Sequence, residues 1–123
     1  MYTHFIGVDI SKDTLDIALV SPQNALLHEQ RIENKKSAIG NFFKQLRRLV
    51  PDFVPATSLV CMEYTGLYNR PLLAAVQALA LPAWVEHAAQ INASTGLRRG
   101  KTDAVDARRI AAYAARFVDR VRL

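Results

Sequence analysis

The residue types and spacings that point to chemistry in this chain are carboxylates set among cations. Asp103 and Asp106 stand three residues apart in the run Arg98-Arg99-Gly100-Lys101-Thr102-Asp103-Ala104-Val105-Asp106-Ala107-Arg108-Arg109. On a helix that spacing brings the two Cβ atoms to about 5–6 Å on one face. Such a pair can share a hard divalent cation, and the cations around it can hold a phosphate-bearing substrate. A plainer reading also fits: acids in a first helical turn offset the helix dipole, and Thr102 is a good N-cap. What separates the two readings is whether other carboxylates must meet this pair.

Two others qualify. Asp9 interrupts the otherwise apolar stretch His4–Ile10, and Glu63 ends the apolar stretch Ser58–Glu63. A buried carboxylate is costly unless it is paired or faces a cleft. Each has a structural alternative: Asp9 as acceptor for the Ser11–Asp13 turn, Glu63 as a cap for the segment that follows. Those alternatives need four independent explanations, whereas one shared site explains all four acids. Carboxylates brought close together repel unless cations lie between them. Oxygen-only ligation suits Mg²⁺ or Mn²⁺, and two such ions about 3.5–4 Å apart activate a nucleophile and stabilise the leaving oxygen of a phosphodiester. Asp13 and Asp16 read as turn and surface residues. Cys61 reads as a buried thiol, and His4, His28 and His87 lack ligand spacing and read as ordinary polar positions. Tyr64 and Tyr68, near Glu63, read as packing residues, with contact to a nucleotide as the lesser alternative.

The elements that must position these acids follow from periodicity. Residues 4–10 and 14–20 read as strands joined by a turn at Ser11-Lys12-Asp13, with Leu15, Ile17 and Leu19 alternating at period two. Ser21-Pro22-Gln23-Asn24 is a second turn, and Leu26–Ile32 a third strand; turns this short imply an antiparallel meander. Asn34 offers a cap to a helix whose apolar positions are Ile39, Phe42, Phe43, Leu46, Leu49 and Val50, ended by Pro51 and Pro55. Residues 58–63 form a strand buried on both faces. A second helix contains Leu72, Leu73, Val76, Leu79 and Ala80, with Pro71 near its start. A short strand over 82–86, a weak helix or loop over 88–96 and a last helix over 102–118 complete the chain. The order β-β-β-α-β-α-β-α predicts an α/β mixed sheet with helices on both faces, which is the order of the ribonuclease H-like fold.

At 123 residues, 50% hydrophobic and 22% charged, the chain is long enough for a single core and reads as one domain. It has no apolar run of membrane-spanning length and no signal-peptide pattern, so a cytoplasmic location is expected. Its one cysteine excludes a disulfide framework and a zinc cluster. Residues 1–97 carry eight Lys/Arg and eight Asp/Glu, whereas residues 98–123 carry eight against three, so the whole net charge of +5 comes from the last segment. A basic segment on a neutral body points to a polyanionic partner. Arg98, Arg99, Lys101, Arg108 and Arg109 are the candidate phosphate contacts. A solvated basic helix is the alternative.

Three motifs carry a family resemblance. Gly7-Val8-Asp9-Ile10-Ser11-Lys12 followed by Leu15-Asp16, then Met62-Glu63-Tyr64-Thr65-Gly66-Leu67-Tyr68, then Lys101-Thr102-Asp103-Ala104-Val105-Asp106-Ala107 resemble the DEDD transposases of bacterial insertion sequences. The N-terminal domain of that family is similar to the RuvC Holliday-junction resolvase, and pilin-gene invertases are relatives. The resemblance runs along essentially the whole chain. It implies a RuvC-like fold and a catalytic, Mg²⁺-binding tetrad of Asp9, Glu63, Asp103 and Asp106. It also implies DNA strand cleavage and exchange in transposition, homo-oligomers on DNA and, in some members, a structured guide RNA. Full-length members continue into a second domain bearing a serine implicated in strand attack. By that resemblance residues 1–123 are expected to be the N-terminal catalytic domain without the serine-bearing one, and not to complete transposition by themselves.

Other functions compete. An ATPase of the actin and sugar-kinase type also opens with a Gly-x-Asp strand–turn, but its second glycine-rich phosphate loop has no counterpart among the five glycines. A non-catalytic nucleic-acid-binding module keeps the basic segment and treats the acids as structural. A stand-alone Holliday-junction resolvase uses the same acids on four-way junctions.

Overall fold

A computed structural model describes residues 1–87, 89–91, 103–121 and 123, and for residues 103–105 the main chain alone. Five strands form one mixed sheet. They are β1 (His4–Ile10), β2 (Thr14–Val20), β3 (Leu26–Glu33), β4 (Ser58–Glu63) and β5 (Ala83–Glu86), in the order β3-β2-β1-β4-β5. β1 pairs antiparallel with β2, and β2 with β3; β1 and β4, and β4 and β5, pair parallel. The short turns dictate the first two pairings, and the helices between strands dictate the parallel ones.

Helices α1 (Lys36–Leu49) and α2 (Arg70–Ala78) cover one face of the sheet, and α3 (Asp103–Arg116) covers the other. Strand alternation divides the core in two. Ile6, Val8, Ile10, Leu15, Ile17, Leu19, Val60 and Met62 pack against Ile39, Phe42, Phe43 and Leu46 of α1 and Leu72 and Val76 of α2. Phe5, Ala18, Val20, Leu59, Cys61 and Trp84 pack against Ala107, Ile110, Ala111, Tyr113 and Ala114 of α3. β1 and β4 are therefore buried on both sides, in keeping with their mostly apolar sequences.

The elements match the expected order, with differences at their edges. Asn34 does not cap α1. The N-cap is Lys35, without a side-chain hydrogen bond, while Asn34 Nδ2 donates to the carbonyls of Ser11 (2.9 Å) and Tyr68 (3.0 Å). Leu49, expected on the core face of α1, is exposed. Of the segment 88–96, residues 89–91 make a helical turn with Ile91 buried; the others lie outside the described residues, as does Thr102. Behind α3 a 3₁₀ turn spans Val118–Arg120, where Arg116 and Arg120 both lie over the Phe117 ring.

No helix among the described residues is long and apolar enough to cross a membrane.

Candidate active site

The ends of the central strands assemble a row of acids. Asp9 lies directly across from Asp16 on β2, and Asp16 from Arg31 on β3. In the parallel pair, Val8 is in register with Met62, which brings Asp9 and Glu63 to the next position of neighbouring strands; Glu63 is in turn opposite Glu86. Residues two apart share a face. Asp9 follows Phe5 and Gly7, Glu63 follows Cys61, Asp16 precedes Ala18, and Glu86 follows Trp84, so all four acids point to the side that α3 covers. The row across the sheet reads Arg31, Asp16, Asp9, Glu63, Glu86.

α3 is brought close by glycine and alanine. A Cβ on Gly7 would stand 2.3 Å from the Ala107 carbonyl oxygen and 2.3 Å from the Ala111 nitrogen, so the helix backbone rests directly on β1. Ala107, Ala111 and Ala114, at i, i+4 and i+7, form the fully buried stripe. This contact brings Asp106, one residue before Ala107, over the strand that carries Asp9 two residues beyond Gly7.

Asp106 is half-buried and receives a hydrogen bond from Arg109 Nη2 at 3.0 Å. Asp103 is the first residue of α3, and its side chain lies outside the described residues. Among the described residues no group of three or more His, Cys, Asp or Glu side chains is close enough to hold one metal ion. The donor chemistry of Asp9, Glu63 and Asp106 nonetheless fits a hard cation: every donor is a carboxylate oxygen on one face of the sheet or on the helix over it.

Asp16 and Glu86, at the two ends of the row, accept from named donors, as Asp106 does. Asp16, expected at the surface, is only 5% exposed. Arg31 grips it through Nε (2.8 Å to Oδ1) and Nη2 (3.1 Å to Oδ2), which is what makes its burial tolerable. Glu86 accepts from the Tyr113 hydroxyl at 3.0 Å and from the His87 backbone N–H at 2.9 Å. Burial, then the hydrogen bond to Glu86, pushes the Tyr113 phenol up to about 12. Burial, with Glu86 and Glu63 adding charge nearby, pushes the Cys61 thiol up to about 12, so it is an inert core group as expected.

The loop after Glu63 is shaped by a residue that sequence reasoning passed over. Asn69 is fully buried: its Oδ1 accepts from the Thr65 N–H (2.6 Å) and hydroxyl (2.7 Å), and its Nδ2 donates to the Glu63 carbonyl (2.9 Å). Gly66, at φ 83°, makes the turn that few other residues tolerate. The tyrosines, expected to pack, do not. Tyr64 is 63% exposed and Tyr68 39%, beside an exposed Leu67, because the turn carries them outward. Asn34 then ties this loop to the β1–β2 turn through its two bonds to Tyr68 and Ser11.

His4, expected at an ordinary polar position, is buried, with Nδ1 3.0 Å from the Thr3 hydroxyl. Of the candidate phosphate contacts, Arg98, Arg99 and Lys101 lie outside the described residues. Arg108 is half-exposed and pairs with Glu29 of β3, with Nη2 2.7 Å from Oε1; Arg109 is nearly buried against Asp106. Arg108 holds the Glu29 carboxyl below its usual value. A larger concavity of about 1100 Å³ lies on the opposite face, between α1 and α2, lined by Phe43, Phe53, Ala78 and Leu81 with Lys36 and Lys44 at its rim. Its lining among the described residues holds no carboxylate, and the sheet separates it from the acid row.

The strand order β3-β2-β1-β4-β5 and the helices on both faces make an α/β fold of the ribonuclease H-like, RuvC-like kind. The chain belongs to the DEDD transposase family of the IS110 type: the model of that family, described as transposase, matches residues 6–122. No curated protein matches the chain. Among solved structures, T. thermophilus RuvC in complex with a Holliday junction substrate is similar, with 18% sequence identity and a TM-score of 0.63. The match covers 94% of this chain and 96% of that one. At that identity the likeness is one of fold, and the transposase assignment rests on the family.

Proposed function

We propose that residues 1–123 form the metal-dependent catalytic unit of a DNA transposase, which cleaves and transfers DNA phosphodiester bonds with Asp9, Glu63, Asp103 and Asp106 as its ion-binding acids. The observation that carries this reading is the placement of Asp9 and Glu63 at neighbouring positions on one face, under the helix that bears Asp106. Mg²⁺ or Mn²⁺, when bound, supplies Lewis-acid polarisation of the phosphate and a nucleophile active at neutral pH. The protein's own part is positional. Gly7 and the alanine stripe set the height of α3 above the acids, Asn69 fixes the backbone at Glu63, and Arg108, once it exchanges Glu29 for a phosphate, supplies a guanidinium for the DNA backbone. The RuvC structure contains a Holliday junction, and by that likeness of fold DNA is the substrate class here. Homo-oligomerisation and a guide RNA belong to the same reading through the family resemblance.

The test is thermal stability with and without Mn²⁺. An ion that binds only the folded state raises stability by linkage, about 2.7 kcal/mol at a hundredfold excess over Kd. Wild type is expected to gain, and Asp9→Asn combined with Asp106→Asn to lose the gain. A wild-type protein indifferent to Mn²⁺ and Mg²⁺ refutes the proposal and favours a non-catalytic nucleic-acid-binding module. Cleavage assays on element ends and on four-way junctions then separate transposase from resolvase chemistry.

A further inference from the structure

The acid row contains a carboxylate that the tetrad does not use, immediately beside one that it does. Asp16 is the cross-strand partner of Asp9 and shares its face. Directly opposed residues of an antiparallel pair have Cβ atoms only about 4.5–5.5 Å apart. Left to itself, a carboxylate there would compete for any cation drawn to Asp9, or repel Asp9 when none is present. Both oxygens of Asp16 are instead taken by one guanidinium, which reaches in from β3 while its own side chain stays 57% exposed. The other end of the row repeats the arrangement: Glu86, opposite Glu63, is occupied by Tyr113 and the His87 N–H.

We propose that the Arg31–Asp16 pair is a positioning device that withholds a fifth carboxylate from the ion site, so that the site's charge and ligand number are set by the tetrad alone. The inference rests on the ion-site reading above. Removing Arg31 leaves Asp16 buried, charged and next to Asp9, and the nearest relief is a divalent cation. Arg31→Met is therefore expected to bind Mn²⁺ about tenfold or more tightly than wild type, since a charge added at that distance acts in a medium far less polarisable than water. Arg31→Lys, which keeps one cation, should fall between the two. Asp16→Asn in the Arg31→Met background should restore the wild-type affinity.

The readout is Mn²⁺ affinity from the electron paramagnetic resonance signal of the free ion, together with thermal stability at zero and saturating Mn²⁺. An ion pair that is merely structural predicts an equal loss of stability in both conditions and an unchanged affinity. That result overturns the inference, as does an affinity below wild type. Wild type that binds Mn²⁺ while Arg31→Met does so equally refutes the role of the pair only; wild type that binds no ion refutes the site reading beneath it. The exposure of Arg31 keeps the substitution from opening a core cavity.

Discussion

Gly7→Ala tests whether the height of α3 above the sheet is the geometric condition of the site. The added methyl would stand 2.3 Å from the Ala107 oxygen, 2.3 Å from the Ala111 nitrogen and 2.8 Å from the Ala111 Cα. Favourable contacts begin near 3.5 Å, so the helix must lift by about 1 Å or the strand must bend by as much. All three atoms belong to the backbone of α3, and no flexible side chain can swing away. Overpacking in cores costs about 1–3 kcal/mol, and rigid targets put this case near about 3 kcal/mol. With an unfolding entropy of about 2.1 cal/mol/K per residue, that loss lowers Tm by about 12 °C in a domain of this size. The Mn²⁺ response should fall as well, because a helix lifted from β1 carries Asp106 away from Asp9.

Gly40→Ala is the internal control for this experiment. Gly40 lies within α1, and a Cβ there meets nothing within 4 Å. The same chemical change should therefore stabilise the protein by about 0.5–1 kcal/mol, the ordinary advantage of alanine over glycine within a helix. Calorimetry of both variants, with hydrogen exchange on the α3 amides, separates the effects. A Gly7→Ala protein that melts within about 2 °C of wild type would refute the close approach of helix and strand, and with it the account of how Asp106 is delivered.

Two further outcomes follow from the electrostatics. Glu29 neutralises Arg108 at the rim of the site; Glu29→Gln should free that cation, tighten binding to duplex DNA and steepen the dependence of log K on log salt by about 0.9 for the one added phosphate contact. An unchanged slope in a fluorescence-anisotropy titration would remove Arg108 from the DNA surface. The Tyr113 phenol ionises at about 12 in the folded chain against 10.0 ordinarily, because it is buried and bonded to Glu86 with Cys61 also nearby. A folded-state value raised in this way contributes stability that is complete below pH 10 and lost as pH rises toward 12. Urea denaturation from about pH 8 to about pH 11 should show that decline in wild type and a flatter profile in Tyr113→Phe.

Much of the architecture was legible because it depends on local patterns. The mostly apolar run at 58–63 identified a strand covered on both faces, the β-forming run at 4–10 identified another strand, and the Ser11-Lys12-Asp13 turn identified its antiparallel partner. Asp9 and Glu63 stood out as acids interrupting or ending those runs. What escaped depends on pairings distant in sequence. Asn34 looks like a cap because caps are local, yet its amide spends both hydrogens on Ser11 and Tyr68. Tyr64 and Tyr68 look like core residues because aromatics usually are, but the bonds made by Asn69 and the positive φ of Gly66 turn them outward.

Asp16 is the most instructive case, because the information needed to place it was present. A turn centred on Lys12 and Asp13 pairs Asp9 with Asp16, and a second centred on Gln23, followed by a bulge between Leu19 and Val20, leads to the pairing of Asp16 with Arg31. Strand parity then puts all three on one face, the face that must be covered if Phe5, Ala18 and Cys61 are to be buried. Reading Asp16 as a surface residue equated polarity with exposure. The sounder inference asks which cation could accompany an acid into a covered face; the turn's own register points to Gln30, and the bulge between Leu19 and Val20 brings Arg31 opposite Asp16 instead. Applied to the other acids, the same reasoning finds the Tyr113 phenol for Glu86 at the far edge and the Arg109 guanidinium for Asp106 on the helix above.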